Sequence, residues 1–481
     1  MYRRFKSVAF ACFVLAGLLV SPATAGAQGD PPDFSYETPV FGLNSDGAGG
    51  LLVADYGAGV VRLGADVGEI VVPLVSVSDA VAVDGDFIAL TAEPFGDPAM
   101  FPDAQKLFRV SDGEKSMIAD LWAFEQANNP DAGFIFDEMG QPVVNSNPFD
   151  LARLASSTLV ADAGANAVLQ VHDDGQIEVV AVLTAELATT EHLTDLVDCA
   201  DPPEELAFIC DLPPAIPAEP VATSVAVGPD GDYFMGELKG FPGTPGLSRV
   251  WTVAAGTTDA VCPSAACTEA LPGVDFTSIV DLAFTSDGTL LVVELDEASW
   301  LAAEEGLGVG GTVNACDLTA GSCHAIAEGL TLPIAATVDE HGDVFVAVSV
   351  LIPGAADVIR IWKEFTDDNG SVHEHNIEAL AAAGITLGCN PPANDQFCPD
   401  DLLTRGQFAA MLRRALSLPG SDVDAFIDDD ASIFEGDINA VAAAGITKGC
   451  NPPANDNYCP DDLITRAQAA SMLARALDLG V

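Results

Sequence analysis

Residues 157–171 read STLVADAGANAVLQV. A β-rich run, a Gly-containing loop and a second β-rich run follow one another within fifteen residues. The same phrase returns as GLLVADYGAGVVRL from Gly50, DYFMGELKGFPGTPGLSRVWTV from Asp232 and TLLVVELDEASW from Thr289, the last continuing to GGTVNAC. It returns again as DVFVAVSVLIPGAADVIRIW from Asp343, and in weaker form as DFIALTAEPFGDPAMFPDAQKLFRV from Asp86. A further strand precedes each copy, as in TSVAVGPDG and DLAFTSDG. Asp-Gly and His-Gly steps between the apolar runs are hairpin punctuation, because glycine supplies positive φ without steric cost. Several strands per copy, at spacings of roughly 40–55 residues, define a β-propeller. The expected fold is mainly β, a six-bladed propeller over residues 36–362. A seventh blade would have to lie within 183–220, a Pro- and acid-rich stretch that reads instead as an insertion. One segment departs from the β pattern: Lys115 to Gly133 carries Ile118, Leu121, Trp122 and Phe124 at near-helical spacing and reads as a short helix across one face.

After Trp362 the style changes. GITLGCNPPANDQFCPDDLLTR, starting at Gly384, recurs 61 residues later as GITKGCNPPANDNYCPDDLITR, with 18 of 22 positions the same. Ala-rich, amphipathic runs flank both copies. The tail therefore reads as a small all-α domain of two repeats, 365–416 and 426–477, each a helix, a cysteine-bridged loop and a helix. Thr404 with Gln407, and Thr465 with Gln468, are spaced as capping boxes at the start of the second helix. Arg405 and Arg466 follow directly. A cation there faces the positive end of the helix dipole. Its retention in both copies points either to an anionic partner or to pairing with Asp400, Asp401, Asp461 or Asp462.

The chain begins as an exported one does. Arg3, Arg4 and Lys6, an apolar run from Val8 to Val20 and then SPATAGA form a secretory signal peptide over residues 1–27. No later stretch is long and apolar enough for a transmembrane segment. Formal net charge is −54, and −57 once the three leader cations are removed. Such a chain repels nucleic acid and anionic lipid. Apart from Cys12 in the leader, the cysteines fall into five close pairs. Cys199 pairs with Cys210, Cys262 with Cys267, Cys316 with Cys323, Cys389 with Cys398 and Cys450 with Cys459. Even count, local pairing and export imply disulfides rather than zinc. Each is expected to staple a surface loop and to stabilise by ~2–3 kcal/mol through the entropy of the unfolded chain.

Aligning the second strand of the propeller copies places Asp55, Thr91, Asp162, Glu237, Glu294 and Val348 at one position. Two readings follow. The carboxylates Asp55, Asp162, Glu237 and Glu294 converge on the channel and hold a hard cation such as calcium, or they point sideways and accept turn amides. Asn145, Asn147 and Asp150 fall on the same rim, as ligand-binding groups or as turn formers. There is no G-x-S-x-G elbow and no H-E-x-x-H.

Two resemblances add to this. The tail, 365–478, resembles S-layer homology (SLH) modules: an opening F-x-D (Phe365 to Asp367, Phe426 to Asp428), a helix ending A-x-x-G-I-T-x-G, a loop ending P-D-D, then [LI]-T-R-x-Q. That resemblance implies attachment to bacterial cell-wall polymer or surface proteins, with Arg405 and Arg466 gripping the anionic polymer. The propeller, through FEQANNPDAG, VVNSNPFDLA and TSVAVGPDGDYFMGELKGFP, resembles the exported ScyD/ScyE-like propellers, related in architecture to NHL-type and lactonase-type propellers. It implies fold and export, not chemistry. The expectation is a secreted, cell-wall-associated, non-catalytic binding propeller of unknown ligand. The alternative is a calcium-type, lactonase-like hydrolase working at the channel mouth.

Overall fold

A computed structural model describes residues 34, 36, 38–477 and 479, apart from 65–67, 96–99, 137–139, 201, 204–205, 353, 363, 369, 392–393, 395 and 422. The leader and Cys12 lie outside the described residues. Two units are present, one up to Arg360 and one from Ile361. Among the described residues no helix is long and apolar enough to cross a membrane.

The first unit is a six-bladed propeller. Blade 1 is β1 (Val40–Ser45), β2 (Leu51–Asp55), β3 (Gly59–Leu63) and β4 (Gly68–Val72); blade 2 is β5 (Val77–Val83), β6 (Asp86–Thr91), β7 (Lys106–Ser111) and β8 (Glu114–Asp120). Blade 3 is β9 (Pro148–Arg153), β10 (Ser157–Asp162), β11 (Ala167–His172) and β12 (Ile177–Leu183). A small hairpin, β13 (Glu186–Thr189) with β14 (Ala215–Ala218), comes next. Blade 4 is β15 (Pro220–Val227), β16 (Tyr233–Lys239), β17 (Arg249–Val253) and β19 (Thr268–Glu269). Between its last two strands, β18 (Ala260–Cys262) reaches back and pairs in parallel with β12. Blade 5 is β20 (Ile279–Phe284), β21 (Leu290–Glu294), β22 (Gly311–Asp317) and β23 (Ser322–Leu330). Blade 6 is β24 (Ala335–Val338), β25 (Val344–Val348) and β26 (Asp357–Trp362). The ring closes where the Val40 amide donates to the Val350 carbonyl at 3.3 Å and the Gly354 amide to that of Tyr36 at 3.1 Å.

The hydrophobic pattern explains the layering. Second strands such as LLVAD, STLVAD and LLVVE are buried along their whole length, because each has a neighbouring blade on both faces. The core is a set of inter-blade layers: Leu159, Val180, Val225 and Met235 pack blade 3 on blade 4, and Ile88, Leu107, Val160 and Leu169 pack blade 2 on blade 3. Each such side chain contributes ~1.5–3 kcal/mol by leaving water. Outer strands are exposed and charged, as in EKSMIAD, which blunts an open sheet edge. The two-residue Asp84-Gly85 turn joins β5 to β6 with φ of 51° and 86° at its centre, the left-handed pair that matches strand twist.

Two local expectations change. The helix read from Lys115 begins later. Glu114–Asp120 is the outer strand of blade 2, paired with β7 from Lys106↔Asp120 to Ser111↔Glu114. Only then does α1 (Leu121–Asn128) start, its first turn capped by the Asp120 carboxylate on the Ala123 amide at 2.9 Å. Sheet pairing outweighed local periodicity. The 183–220 stretch forms no blade. It holds the β13–β14 hairpin, the short α2 (Leu193–Leu196), a 3-10 turn over Ala207–Asp211 and the bond between Cys199 and Cys210.

The second change concerns where the cysteines sit. All five expected pairs are bonded: besides the first, Cys262 joins Cys267, Cys316 joins Cys323, Cys389 joins Cys398 and Cys450 joins Cys459. Two of these are not the surface staples expected. Cys262 and Cys267 are fully buried in the layer between blades 3 and 4. There β18 is drawn down onto β12, so the sulfurs pack as apolar groups. Cys316 and Cys323 face each other across β22 and β23. Cys316 is fully buried, and Cys323, partly buried, packs on the same layer between blades 4 and 5. Their bonds act on sheet edges and core at once, which sequence spacing does not reveal.

One more short helix, α3 (Trp300–Glu304), interrupts blade 5. The second unit contains α4 (Glu374–Ala382), α5 (Arg405–Ala415), α6 (Glu435–Ala443) and α7 (Arg466–Ala476). Both capping boxes form, with glutamine at the third helical position and threonine at the cap. In each repeat the first F-x-D aspartate holds the bridged loop. Asp367 accepts from the Phe397 and Cys398 amides at 2.7 and 2.8 Å, and Asp428 from those of Tyr458 and Cys459 at 2.6 and 2.9 Å.

Candidate functional site

The two faces of the propeller differ. On one, strands are joined by tight turns such as 84–85, 112–113 and 154–156. On the other lie the long connections: 92–105, 129–147 with α1, 184–219, 240–248 and 295–310 with α3. Long loops on a rigid scaffold are where binding groups are usually displayed.

The aligned acids stand at the edge of this loop face. Asp55, Thr91, Asp162, Glu237 and Glu294 each oppose the first residue of a β-bulge in the inner strand, pairing with Val40, Val77, Pro148, Ala222 and Ile279. Their oxygens are used within their own blades. Asp55 accepts from the Thr38 hydroxyl and, at 3.0 Å, from the Gly57 and Ala58 amides. Asp162 accepts from the Ser146 hydroxyl at 2.7 Å and the Asn147 amide at 2.6 Å, as well as from Gly164 and Ala165. Glu237 meets the buried Lys239 ammonium and the Trp251 indole, the latter at 2.8 Å. Glu294 takes the Thr277 amide and, at 2.6 Å, the Asn314 side chain. Among the described residues, these four do not gather their oxygens around one point.

Asn147 joins blades 2 and 3 by accepting the Glu93 amide at 3.0 Å. Asn145 lies in the same loop, beside the buried Glu125 of α1. Burial, with Asp162 and Asp131 nearby, pushes the Glu125 carboxyl up to about 8.

Asp150 is elsewhere. It faces the channel, in a cavity of about 290 Å³ lined by Asn44, Asp79, Asp150, Arg153, Asp281 and Thr337 among others. Asp79, Asp150 and Asp281 follow the bulge in blades 2, 3 and 5. Each carboxylate reaches the next inner strand. Asp79 accepts the Leu151 amide at 3.2 Å, Asp150 that of Val225 at 2.7 Å and Asp281 that of Ala336 at 2.7 Å. Asp79 and Asp150 also hydrogen-bond each other, which requires a shared proton. Burial raises all three, Asp150 to about 6 and the other two well above the carboxylate range. Asp150 touches channel solvent yet is surrounded by protein, so desolvation dominates. This triad is a set of inter-blade pins. Asp79 and Asp281 were missed from sequence; aligning the first strands (SDAVAV, FDLARL, VDLAFT) instead of the second exposes them.

The two tail arginines separate. Arg405 is 3% exposed. Its guanidinium donates to the Tyr458 carbonyl at 2.8 Å and lies over the Tyr458 ring. Its amide donates to the Asp462 carbonyl at 2.9 Å. It therefore serves the joint between the repeats and cannot reach a polymer. Arg466, at the same position of α7, is exposed.

The molecule is thus a mainly β protein, a six-bladed propeller, with a second, all-α unit of duplicated capped helices. Within that second unit, residues 427–470 match the S-layer homology domain. Over 82 residues the chain is 38% identical to an endoglucanase of Bacillus sp. (strain KSM-635), covering 17% of this chain and 8% of that enzyme. The chain thus spans a small part of that relative's length. Solved structures similar to the chain include a gluconolactonase of Xanthomonas campestris, at 10% identity and TM-score 0.38, covering 65% of this chain and 84% of that one. Another is the calcium structure of a Trichoderma reesei carbohydrate-active enzyme of family AA12, at 13% identity and TM-score 0.39, covering 72% and 98%. A virginiamycin B lyase of Staphylococcus aureus matches at 11% identity and TM-score 0.34, covering 67% and 84%.

Proposed function

We propose that this is an exported surface protein whose helical repeats attach it to cell-wall polymer and whose propeller displays a binding face without catalysing a reaction. The observation that carries the reading is Arg466, an exposed cation in the first turn of α7 within the stretch that matches the S-layer homology domain. A guanidinium there offers forked donors to an anionic sugar polymer. The long loops of the propeller supply the second surface. The hydrolase alternative needs free carboxylates at the channel mouth. Asp55, Asp162, Glu237 and Glu294 instead hold turn amides, hydroxyls, Lys239 and Trp251, which favours the binding reading. Co-sedimentation of the full chain with purified bacterial cell walls tests it. Wild type should pellet and Arg466→Ala should remain largely soluble. Equal pelleting of the two would remove the anchor.

A further inference from the structure

We propose that the second tail repeat holds one hard divalent cation of the calcium class, between Asp424, Asp429 and Asp430. One oxygen from each of the three lies within 4.8 Å of the others. Proximity of acids alone would mean little at this net charge. The independent observation is the state of Asp429. It is fully buried, at 0% exposure, and neither carboxylate oxygen has a hydrogen-bond partner. An ionised carboxylate out of water with no partner is among the costliest groups a fold can carry. Asp428 and Glu435 add further negative charge nearby. Asp428 falls outside this group of three, and its two oxygens each accept a loop amide. Three carboxylate oxygens and no nitrogen or sulfur donor suit calcium or magnesium rather than zinc.

The duplication supplies an internal control. Asp368 is the counterpart of Asp429, is likewise buried, and also has no partner for either oxygen. The sequence, however, puts Lys363 where the second repeat has Asp424, and Asn369 where it has Asp430. The first repeat thus lacks two of the three donors. It has Glu378 in place of Asn439, and burial, with the charges of Glu364 and Asp368 nearby, pushes the buried Glu378 carboxyl up to about 10, so that it holds a proton. One repeat meets its buried acid with protons, the other with a cation. The site adjoins Asp428, which positions Tyr458, the residue that Arg405 grips. Occupancy would therefore stiffen the joint between the repeats.

Calorimetric titration of the full chain with calcium, after chelation, tests this, with wild type compared against Asp429→Asn. The variant should bind one equivalent fewer. Melting adds a sign test: in chelator Asp429→Asn should unfold at or above the wild-type temperature, and in excess calcium below it. Asp424→Lys, which installs the residue of the first repeat, should also lose that equivalent and covers the case in which the Asn variant folds poorly. Unchanged stoichiometry in both variants, no calcium binding by wild type, or an Asn variant more stable in both conditions would each overturn the proposal.

Discussion

Arg405 and Tyr458 clasp each other across the two tail repeats. The guanidinium carbon lies 4.7 Å from the ring centre, and the Tyr458 hydroxyl donates to the Arg405 carbonyl at 2.8 Å. One residue from each repeat closes the joint. The equivalent arginine of the second repeat faces solvent, so a single duplicated motif serves two physical purposes.

The first prediction separates those purposes. Arg405→Ala removes a desolvated cation–π contact and a charge-assisted hydrogen bond, at a cost of about 2–4 kcal/mol. Arg405→Lys should restore little, since a point charge does not stack as guanidinium does. Arg466→Ala should change stability by less than about 0.5 kcal/mol. Urea unfolding of the three variants measures this.

A second concerns the channel pins. Asp79→Ala removes one of two acceptors from the Leu151 amide, which keeps the Asp150 carboxylate, and from the Asn44 side chain, which keeps the Ala80 carbonyl. Stability should fall by about 1–2 kcal/mol, the worth of the two hydrogen bonds lost. Asp79→Asn keeps an acceptor oxygen and resembles the protonated acid, so it should cost less. Thermal melts at one pH rank the two.

A third follows from close approach. A Cβ on Gly42 would collide with the Asp79 carboxylate and stand 2.7 Å from the Ser78 carbonyl oxygen. Gly42→Ala should destabilise by about 1–3 kcal/mol through overpacking. In an Asp79→Ala background the penalty should shrink, because one of the clashing groups is gone. A double-mutant cycle reads the coupling.

A fourth concerns pH. Asp150 is raised to about 6, Glu294 to about 7 and Glu125 to about 8, all mainly by burial. A folded state with raised carboxyl values binds more protons than the unfolded chain. The stability these groups contribute is therefore full below about pH 4, the unfolded carboxyl range, and is lost as pH rises from there through 6 to 8, by about 1.4 kcal/mol per pH unit for each proton held. Melting temperature in chelator should fall from pH 5 to pH 8, and repulsion within so acidic a chain acts in the same direction. A rise over that interval would refute the assignment.

Much of the architecture was legible. Asp-Gly turns with correct strand spacing, six recurring phrases and a duplication of constant length are local signals, and each maps onto an element. The register was legible too. Asp55, Asp162, Glu237 and Glu294 do share one position, opposite the inner-strand bulge. Their facing was not, because a bulge rotates side chains in a way that alternation along one strand does not reveal. The Lys115–Asp120 strand was hidden for a related reason: its partner strand, not its own periodicity, decided its state. The bonds of Cys267 and Cys323 were legible as pairs, but their depth was not, since it depends on which blade packs over them.

The line of residues carried the number of blades, the pairing of cysteines and the doubling of the tail, since all three rest on contacts between near neighbours in the chain. Folding in three dimensions settled which acids bridge blades, which arginine is covered and which carboxylate is stranded. Those outcomes depend on groups brought together from distant segments, and on the loss of water around them, and neither is written into any single stretch.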